Sequence, residues 1–329
     1  MRTRMFWRGS VAAAMAVVQA GCEGPKAGDQ QGTDGGALIV AAPIEAETLL
    51  PPIVESVAAK SIVDLLYDHL AEPGTDLNTV GSDGYAPRGA DSWEWSSDSS
   101  AITFHLNPKG RFHDGHPVRS ADVAFSYDLT ADPVVASFVR TNFPPIESVT
   151  TPDSLSVRFN FSNRSPERFY QLTSNLWILP KHLLDTLDRK QIRTSAVGRN
   201  PVGSGPFRFS RWDARSVIEI VANTDYHLGR PHLDRVVFAY SNDLSTAATR
   251  VAAGEADFVE QVRVETVGTL TGKPFVRFEP YGSYTNGYLL YNLHDRANRA
   301  KPHPILGDRA MRLALSMAID RRGAVKSVY

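Results

Sequence analysis

Three observations predict a mixed α/β fold for this chain of 329 residues. Short apolar or alternating runs bounded by turn residues recur along its body, and stretches with apolar positions near helical spacing are interposed between them. No repeat of fixed period is present. The composition, 42% hydrophobic and 22% charged, is that of one large domain or two or three smaller ones. The third observation is a rigid stretch, Asn200-Pro201-Val202-Gly203-Ser204-Gly205-Pro206-Phe207-Arg208-Phe209. Its prolines fix φ and withhold donors, while Gly203 and Gly205 allow positive φ or close approach by another group, so it reads as a shaped turn entering a strand at Phe207.

At the amino terminus Arg2, Arg4 and Arg8 precede an apolar run over 11–18. A membrane-spanning helix needs about 20 residues, so this is a secretory leader, residues 1–21, rather than an anchor helix. The run ends in Val18-Gln19-Ala20-Gly21-Cys22, and Cys22 is the one cysteine of the sequence. That arrangement resembles a lipobox, in which the thiol takes a diacylglycerol. The usual bulky aliphatic three places before the cysteine is Gln19 here, and the bland reading is an incidental cysteine. A lone cysteine allows no intramolecular disulfide, so an exported body must be held by its core. Residues 22–36, rich in Gly, Gln and Asp, read as lipidated cysteine plus flexible tether. The formal charge is −1, and the leader holds three arginines and no acid, so nothing in the electrostatics favours nucleic acid.

Along the body, 37–42 reads as a strand and Pro51-Pro52 as a loop. Apolar Val57, Ile62, Leu65, Leu66 and Leu70 then predict a helix over about 54–70. Glu55 stands at its start, where the helix dipole favours a carboxylate; that capping role competes with a ligand-binding one. Aromatic-rich runs around Ser96-Ser97-Asp98-Ser99-Ser100 predict a hairpin over 92–106. Phe112-His113-Asp114-Gly115-His116-Pro117 predicts a tight turn before a helix over 120–129. His113, Asp114 and His116 are read as turn residues rather than metal ligands, because no further His or Glu stands nearby at helical spacing. Strands follow at 157–161, 217–222, 235–239 and 256–260, a helix starts near Pro180, and Asp243 caps a helix ending at Gly254.

Taken together these pieces resemble the bacterial extracellular solute-binding proteins of family 5, the peptide, nickel and opine receptors of ABC importers. The resemblance is carried by Ile62-Val63-Asp64-Leu65-Leu66-Tyr67-Asp68-His69-Leu70, by Trp93-Glu94-Trp95 through Phe104-His105-Leu106, and by Phe112-His113-Asp114-Gly115 with Pro117 and Ala121-Asp122-Val123-Ala124-Phe125-Ser126. It continues in Ile178-Leu179-Pro180-Lys181-His182, the 200–207 stretch, Asp225-Tyr226 with Gly229-Arg230-Pro231, Gly254-Glu255-Ala256-Asp257, and the run from Asp308 to Arg321. Two departures stand at Arg119 and Ala121, where the family carries threonine and an acid, so the helix beginning there is less well capped.

The resemblance implies a periplasmic-binding-protein type II fold of two lobes: lobe one over 37–66 and 194–275, a subdomain over 67–193 inserted in it, and the hinge exit with an incomplete second lobe over 276–329. A strand at 287–293 and a helix at 309–319, apolar on most sides and therefore expecting burial, belong to that second lobe. Lacking neighbours, they are expected to leave an apolar patch and open edges, with poor solubility and weak ligand binding. The implied function is capture of an oligopeptide-like solute between the lobes by a monomeric lipoprotein, and delivery to a membrane permease. It acts on the outer face of the cytoplasmic membrane or in the periplasm. No cofactor and no metal are expected.

Candidate ligand residues are Glu55, Trp177, backbone groups of Gly203, Ser204 and Gly205, Tyr284 and Asn292. Trp177 and Phe138 have the competing reading of core residues, and Tyr288, Leu290 and Asn292, which share a strand face, that of aromatic packing. A sensor or adaptor lipoprotein of the same fold and a non-functional fragment are the alternatives. An enzyme is disfavoured: Ser204 lies between glycines, but Val202 occupies the place where a nucleophile elbow needs glycine.

Overall fold

The computed structural model describes residues 34–281 and 288–328; the leader, Cys22, Tyr284 and most of the tether lie outside them. Strand β1 (Ala37–Ala42) is followed by a single 3-10 turn at Pro51–Ile53 and by helix α1 (Val57–Leu66). The small pair β2 (Ala71–Pro73) and β3 (Tyr85–Pro87) leads into the hairpin β4 (Ala90–Trp95) and β5 (Ala101–Leu106). Then come α2 (Ser120–Ala131), β6 (Ile146–Thr150), β7 (Ser156–Phe161), α3 (Arg168–Thr173) and α4 (Lys181–Leu184). Strands β8 (Phe207–Asp213), β9 (Val217–Ala222) and β10 (Arg235–Tyr240) precede α5 (Leu244–Ala252), α6 (Val264–Leu270), α7 (Arg309–Ala318) and α8 (Arg321–Val328).

Two four-stranded sheets result. The first has the order β1-β10-β9-β8: β1 runs parallel to β10, with Ala37 opposite Arg235 and Ala42 opposite Tyr240, and the other pairs are antiparallel. The second, β4-β5-β7-β6, is antiparallel throughout. Each has its own core. On the first sheet, α1 lays down Ala59, Ile62, Val63 and Leu66, one helical stripe, onto Phe207, Ile218, Ile220, Val236 and Phe238. Each large aliphatic buried in that stripe stabilises by about 2 kcal/mol. On the second, Phe169 gathers Tyr85, Trp93 and Phe104, with ring centroids 4.6, 5.1 and 5.7 Å away. The turn joining β4 to β5 is closed by Asp98, whose carboxylate accepts from Ser96 Oγ, Ser100 N and Ser100 Oγ.

The helix starts differ from expectation in two places. Ser56 caps α1 by accepting from Ala59 N at 3.1 Å, and the carboxylate that serves this end is Glu47, which accepts from Glu55 N, Ser56 N and Ser56 Oγ. Glu55 therefore does not cap the helix; its side chain is free to point away. The start of α2 is not weakly capped, because the Asp122 carboxylate accepts from Arg119 N at 2.8 Å. Asp243 caps α5 as read, accepting from Thr246 N at 2.8 Å.

Two expected strands are absent. At 256–260 a single parallel bridge, Val40 with Phe258, touches the edge of β1, because the Asp257 carboxylate takes the Ile39 N–H that a longer ladder requires. At 288–293 no strand forms, since no strand among the described residues offers it a ladder; Leu289 and Leu290 are both exposed, so the expected division into two faces does not arise. Helix α7, capped by Asp308, buries none of its residues and exposes Met311, Leu313, Leu315 and Met317, the apolar patch expected of a helix without neighbours to cover it.

The two sheets are pinned where the 200–207 stretch crosses the end of α1. A Cβ on Gly203 would lie 1.8 Å from the Leu66 carbonyl oxygen, and one on Gly205 would lie 2.6 Å from that of Leu65. Neither glycine tolerates a side chain, for reasons of space. Gly203→Ala is expected to cost about 3 kcal/mol, read as a lower urea midpoint at unchanged slope. Gly268→Ala, inside α6 with nothing within 4 Å of the added carbon, is expected to be neutral or slightly stabilising.

Candidate functional site

The glycine segment is bonded inward. Gly203 N donates to His113 Nδ1 at 3.1 Å, so the ring proton sits on Nε2, which donates to the Gly205 carbonyl at 3.1 Å. His113 N donates to the Gly203 carbonyl, Gly205 N to the Leu66 carbonyl, and Asn223 Nδ2 to the Gly205 carbonyl. Ser204 Oγ, 1% exposed, accepts from Asp68 N. The polar backbone atoms of Gly203 and Gly205 are thus used within the chain, and the structure does not present them to a ligand. Burial pushes the His113 imidazole down to about 4, against the opposing pull of its bond to Gly205.

Trp177 is a core residue, 3% exposed, with only its indole N–H engaged at a polar group: it donates to Asp64 Oδ1 at 2.8 Å. His69 Nε2 lies 3.2 Å from the same oxygen, and Lys60 Nζ donates to Asp64 Oδ2 at 2.7 Å while standing 5.1 Å over the Trp177 ring. Burial alone would raise the Asp64 carboxyl, but His69 and Lys60 outweigh it and hold the group well below the usual carboxylate range. One turn further on, the buried Arg88 donates to Asp68 Oδ1 at 3.0 Å, to Glu72 Oε1 at 2.5 Å and to the Asp64 carbonyl at 2.8 Å, and Tyr226 Oη donates to Asp68 Oδ1 at 2.8 Å. Lys60, Asp64, His69, Glu72 and Arg88 border a cavity of about 630 Å³ whose other wall includes Tyr170, Gln171 and Asn175. Its charges are already matched in pairs, so they give it little means of fixing the polarity of a ligand.

Glu55 lies on a different kind of surface. Its carboxylate meets Arg193 at 3.0 Å, with both side chains about half exposed. Arg193 also donates to the Ala136 carbonyl at 2.7 Å. Ala136 holds φ at +51°, a left-handed conformation that costs a residue with a Cβ about 1 kcal/mol. Just beyond it Phe138 is 68% exposed, which rules out the core reading for that residue, and Val57, two residues after Glu55, is 66% exposed. The turn at Pro51–Ile53 packs against the turn at Phe138–Asn142, which brings the two segments together. An open carboxylate–guanidinium pair with bare apolar side chains near it offers both charge and apolar contact at the surface.

The family model for "Bacterial extracellular solute-binding proteins, family 5 Middle" matches residues 84–329. The chain belongs to this family. It is 30% identical over 241 residues to a putative ABC transporter peptide-binding protein of Brucella ovis, an alignment covering 73% of this chain and 44% of that one. The oligopeptide-binding protein AppA of Bacillus subtilis, solved with a nonapeptide, superposes with a TM-score of 0.61 at 27% identity, over 72% of this chain and 46% of AppA. NikZ of Campylobacter jejuni, solved with Ni(L-His), gives a TM-score of 0.70 at 24% identity, over 88% and 54% of the two chains, and supports the fold alone. The chain spans about half the length of the relatives it matches. The fold is that of the family 5 periplasmic binding proteins, matched over part of their length.

Of the described candidate residues in this family 5 chain, Glu55 alone stands on an open surface with a charge partner. Asn292 is exposed and accepts from His294 N; Tyr284 lies outside the described residues. No local pattern marks Arg193, since it meets Glu55 across 138 positions. His182 was also missed as a companion of Asp114: its Nε2 lies 2.7 Å from Asp114 Oδ2, across 68 positions. That contact supplies the further histidine whose absence from the neighbouring sequence weighed against a metal reading of the turn, while His113 turns away into the glycine clamp.

The His113 clamp makes stability depend on pH. The unfolded imidazole titrates near 6.5 and the folded one near 4, so folding favours the neutral ring. The stabilisation is complete above pH 6.5 and falls as pH drops toward 4, by about 3 kcal/mol over the whole span. Urea midpoints measured across that window are expected to fall more steeply for the native chain than for His113→Gln.

Proposed function

We propose that this chain forms part of the substrate-binding component of an ABC importer and takes an oligopeptide-like solute, which is handed to a membrane permease. The observation that carries the reading is the Glu55–Arg193 pair beside exposed Phe138 and Val57. An exposed ion pair is worth at most about 1 kcal/mol, so a ligand charge displaces one partner at small cost. A peptide offers an ammonium for Glu55, a carboxylate for Arg193 and side chains for the apolar rim. Membership of the solute-binding family supports the same reading, as does the description of the Brucella ovis relative as a peptide-binding protein. Binding, closure and release require no bond to be made or broken, and the protein acts as a carrier rather than a catalyst. It works as a monomer outside the cytoplasm, held to the membrane through lipid on Cys22; no helix of the described residues is long and apolar enough to cross a membrane. The bodies proposed are lobe one at 37–66 and 194–275, the inserted subdomain at 67–193, and the entry to lobe two at 276–329.

Calorimetric titration with short oligopeptides, a nickel–histidine complex and sugars tests the substrate class. Weak binding of peptides is expected, read as heat at high peptide concentration and weakened a further tenfold or so by Glu55→Gln, equivalent to about 1.4 kcal/mol. Acetylating the peptide amino terminus is expected to cause the same loss, with no further loss when the two changes are combined. Silence toward peptides with a clear response to sugars would overturn the reading. In cells, Cys22→Ser is expected to move the protein from the membrane fraction to the soluble one.

A further inference from the structure

Asp114, His116 and His182 present one carboxylate and two imidazoles whose ligand atoms all lie within 4.8 Å of one another. His182 Nε2 is 2.7 Å from Asp114 Oδ2, and His116 Nδ1 is 3.3 Å from Asp114 Oδ1. The two rings stack at 4.1 Å between centroids with 25° between their planes, so their nitrogens address the same carboxylate from neighbouring positions. We propose that this cluster is a binding site for a divalent transition metal of the zinc type.

The donor set has the right chemistry. Two imidazoles and a carboxylate suit zinc and its neighbours and disfavour magnesium and calcium, which take oxygen cages. Metal–ligand bonds of about 2.0–2.2 Å in a tetrahedron place donor atoms roughly 3.3 Å apart, and the three ligand atoms here already lie within 4.8 Å of one another. A fourth position faces solvent and is left for water. On binding, the metal takes the lone pairs of the two ring nitrogens, and any proton the carboxylate shares with them is released to solvent.

The mounting is rigid on both sides. Phe112 N donates to the His116 carbonyl, Gly115 N to the Phe112 carbonyl, and His116 N to Asp114 Oδ1, so the turn holds the carboxylate oriented. The adjacent His113 is anchored in the glycine clamp. His182 enters from α4, whose first residue Lys181 donates its N–H to Asp122 Oδ1 on α2, and the His182 ring packs 5.5 Å from Phe112. Pre-positioned ligands lose little freedom on binding. The cluster is separate from the proposed solute surface: Asp122 ties the first turn of α2 to Lys181, while Asp128 and Asp132 tie its far end to Arg189 near Arg193. Along the helix, Asp122 and Asp132 stand about 15 Å apart. A bound ion would staple the 112–117 turn to α4.

The test uses the full chain prepared without a histidine tag. Calorimetry with zinc chloride is expected to show a single strong equivalent, magnesium chloride none, and cobalt to give the visible absorption of a tetrahedral ion. His116→Ala is the informative variant, because that side chain is 61% exposed and touches the core only through its stack on His182. It and His182→Ala are each expected to weaken zinc binding tenfold or more and to abolish the zinc-dependent rise in melting temperature. No heat with zinc, or zinc binding unchanged in both variants, would overturn the proposal.

Discussion

The contact on which the rest of the structure depends is steric: the backbone of Gly203 and Gly205 lies against the carbonyls of Leu65 and Leu66 with no room for a β-carbon. Through that contact the end of α1, the start of β8 and the His113 turn meet at one place. The first two belong to the core over the β1-β10-β9-β8 sheet, and the turn to the core around Phe104 and Phe169. Two hydrophobic clusters that share few side chains are thus joined by hydrogen-bonded backbone rather than by a continuous apolar layer. Such a joint transmits position well, since carbonyls and amides held at about 3 Å have little slack.

The charged groups divide into two kinds. Asp64, Asp68 and Arg88 are closed in on themselves, each answering several partners, and removing one would strand the others away from water. Glu55 and Arg193 answer each other in the open, where a substitute partner costs little. The first kind fixes the lobe; the second leaves it able to recognise something else. Trp177 shows why residue type alone misleads here: an indole near a cavity with a carboxylate bonded to it has the look of a ligand wall, yet its ring is packed in the interior and its N–H already committed.

The sequence made legible those features whose cause is local. The Asp98 turn between β4 and β5, the Asp243 cap of α5 and the span of α2 follow from residues within a few positions of one another, and the ordered motifs gave the family. What stayed hidden rests on partners distant in the chain. Glu47 caps α1 from eight and nine positions away, Arg193 meets Glu55 across 138, and His182 completes the Asp114 cluster across 68. The run Tyr288-Leu289-Leu290-Tyr291 carries residues that suit a strand, but residue type describes a propensity, whereas a strand exists only where another backbone accepts its hydrogen bonds.

The parallel pairing of β1 with β10 sets an order of assembly. Gly36 N bonds to the Asp234 carboxylate across 198 positions, and every rung of that pair joins residues comparably far apart. The second sheet, by contrast, closes over 90–161, with its hairpin turning within a few residues. Local closure is entropically cheaper than closing so long a loop, so the inserted sheet can gain order while the first strand is still unpaired. During synthesis or threading through a channel, β1 emerges first and waits longest, its apolar edge unsatisfied until β10 arrives. The earliest segment of the body to appear therefore cannot become native until residues 235–240 have followed it.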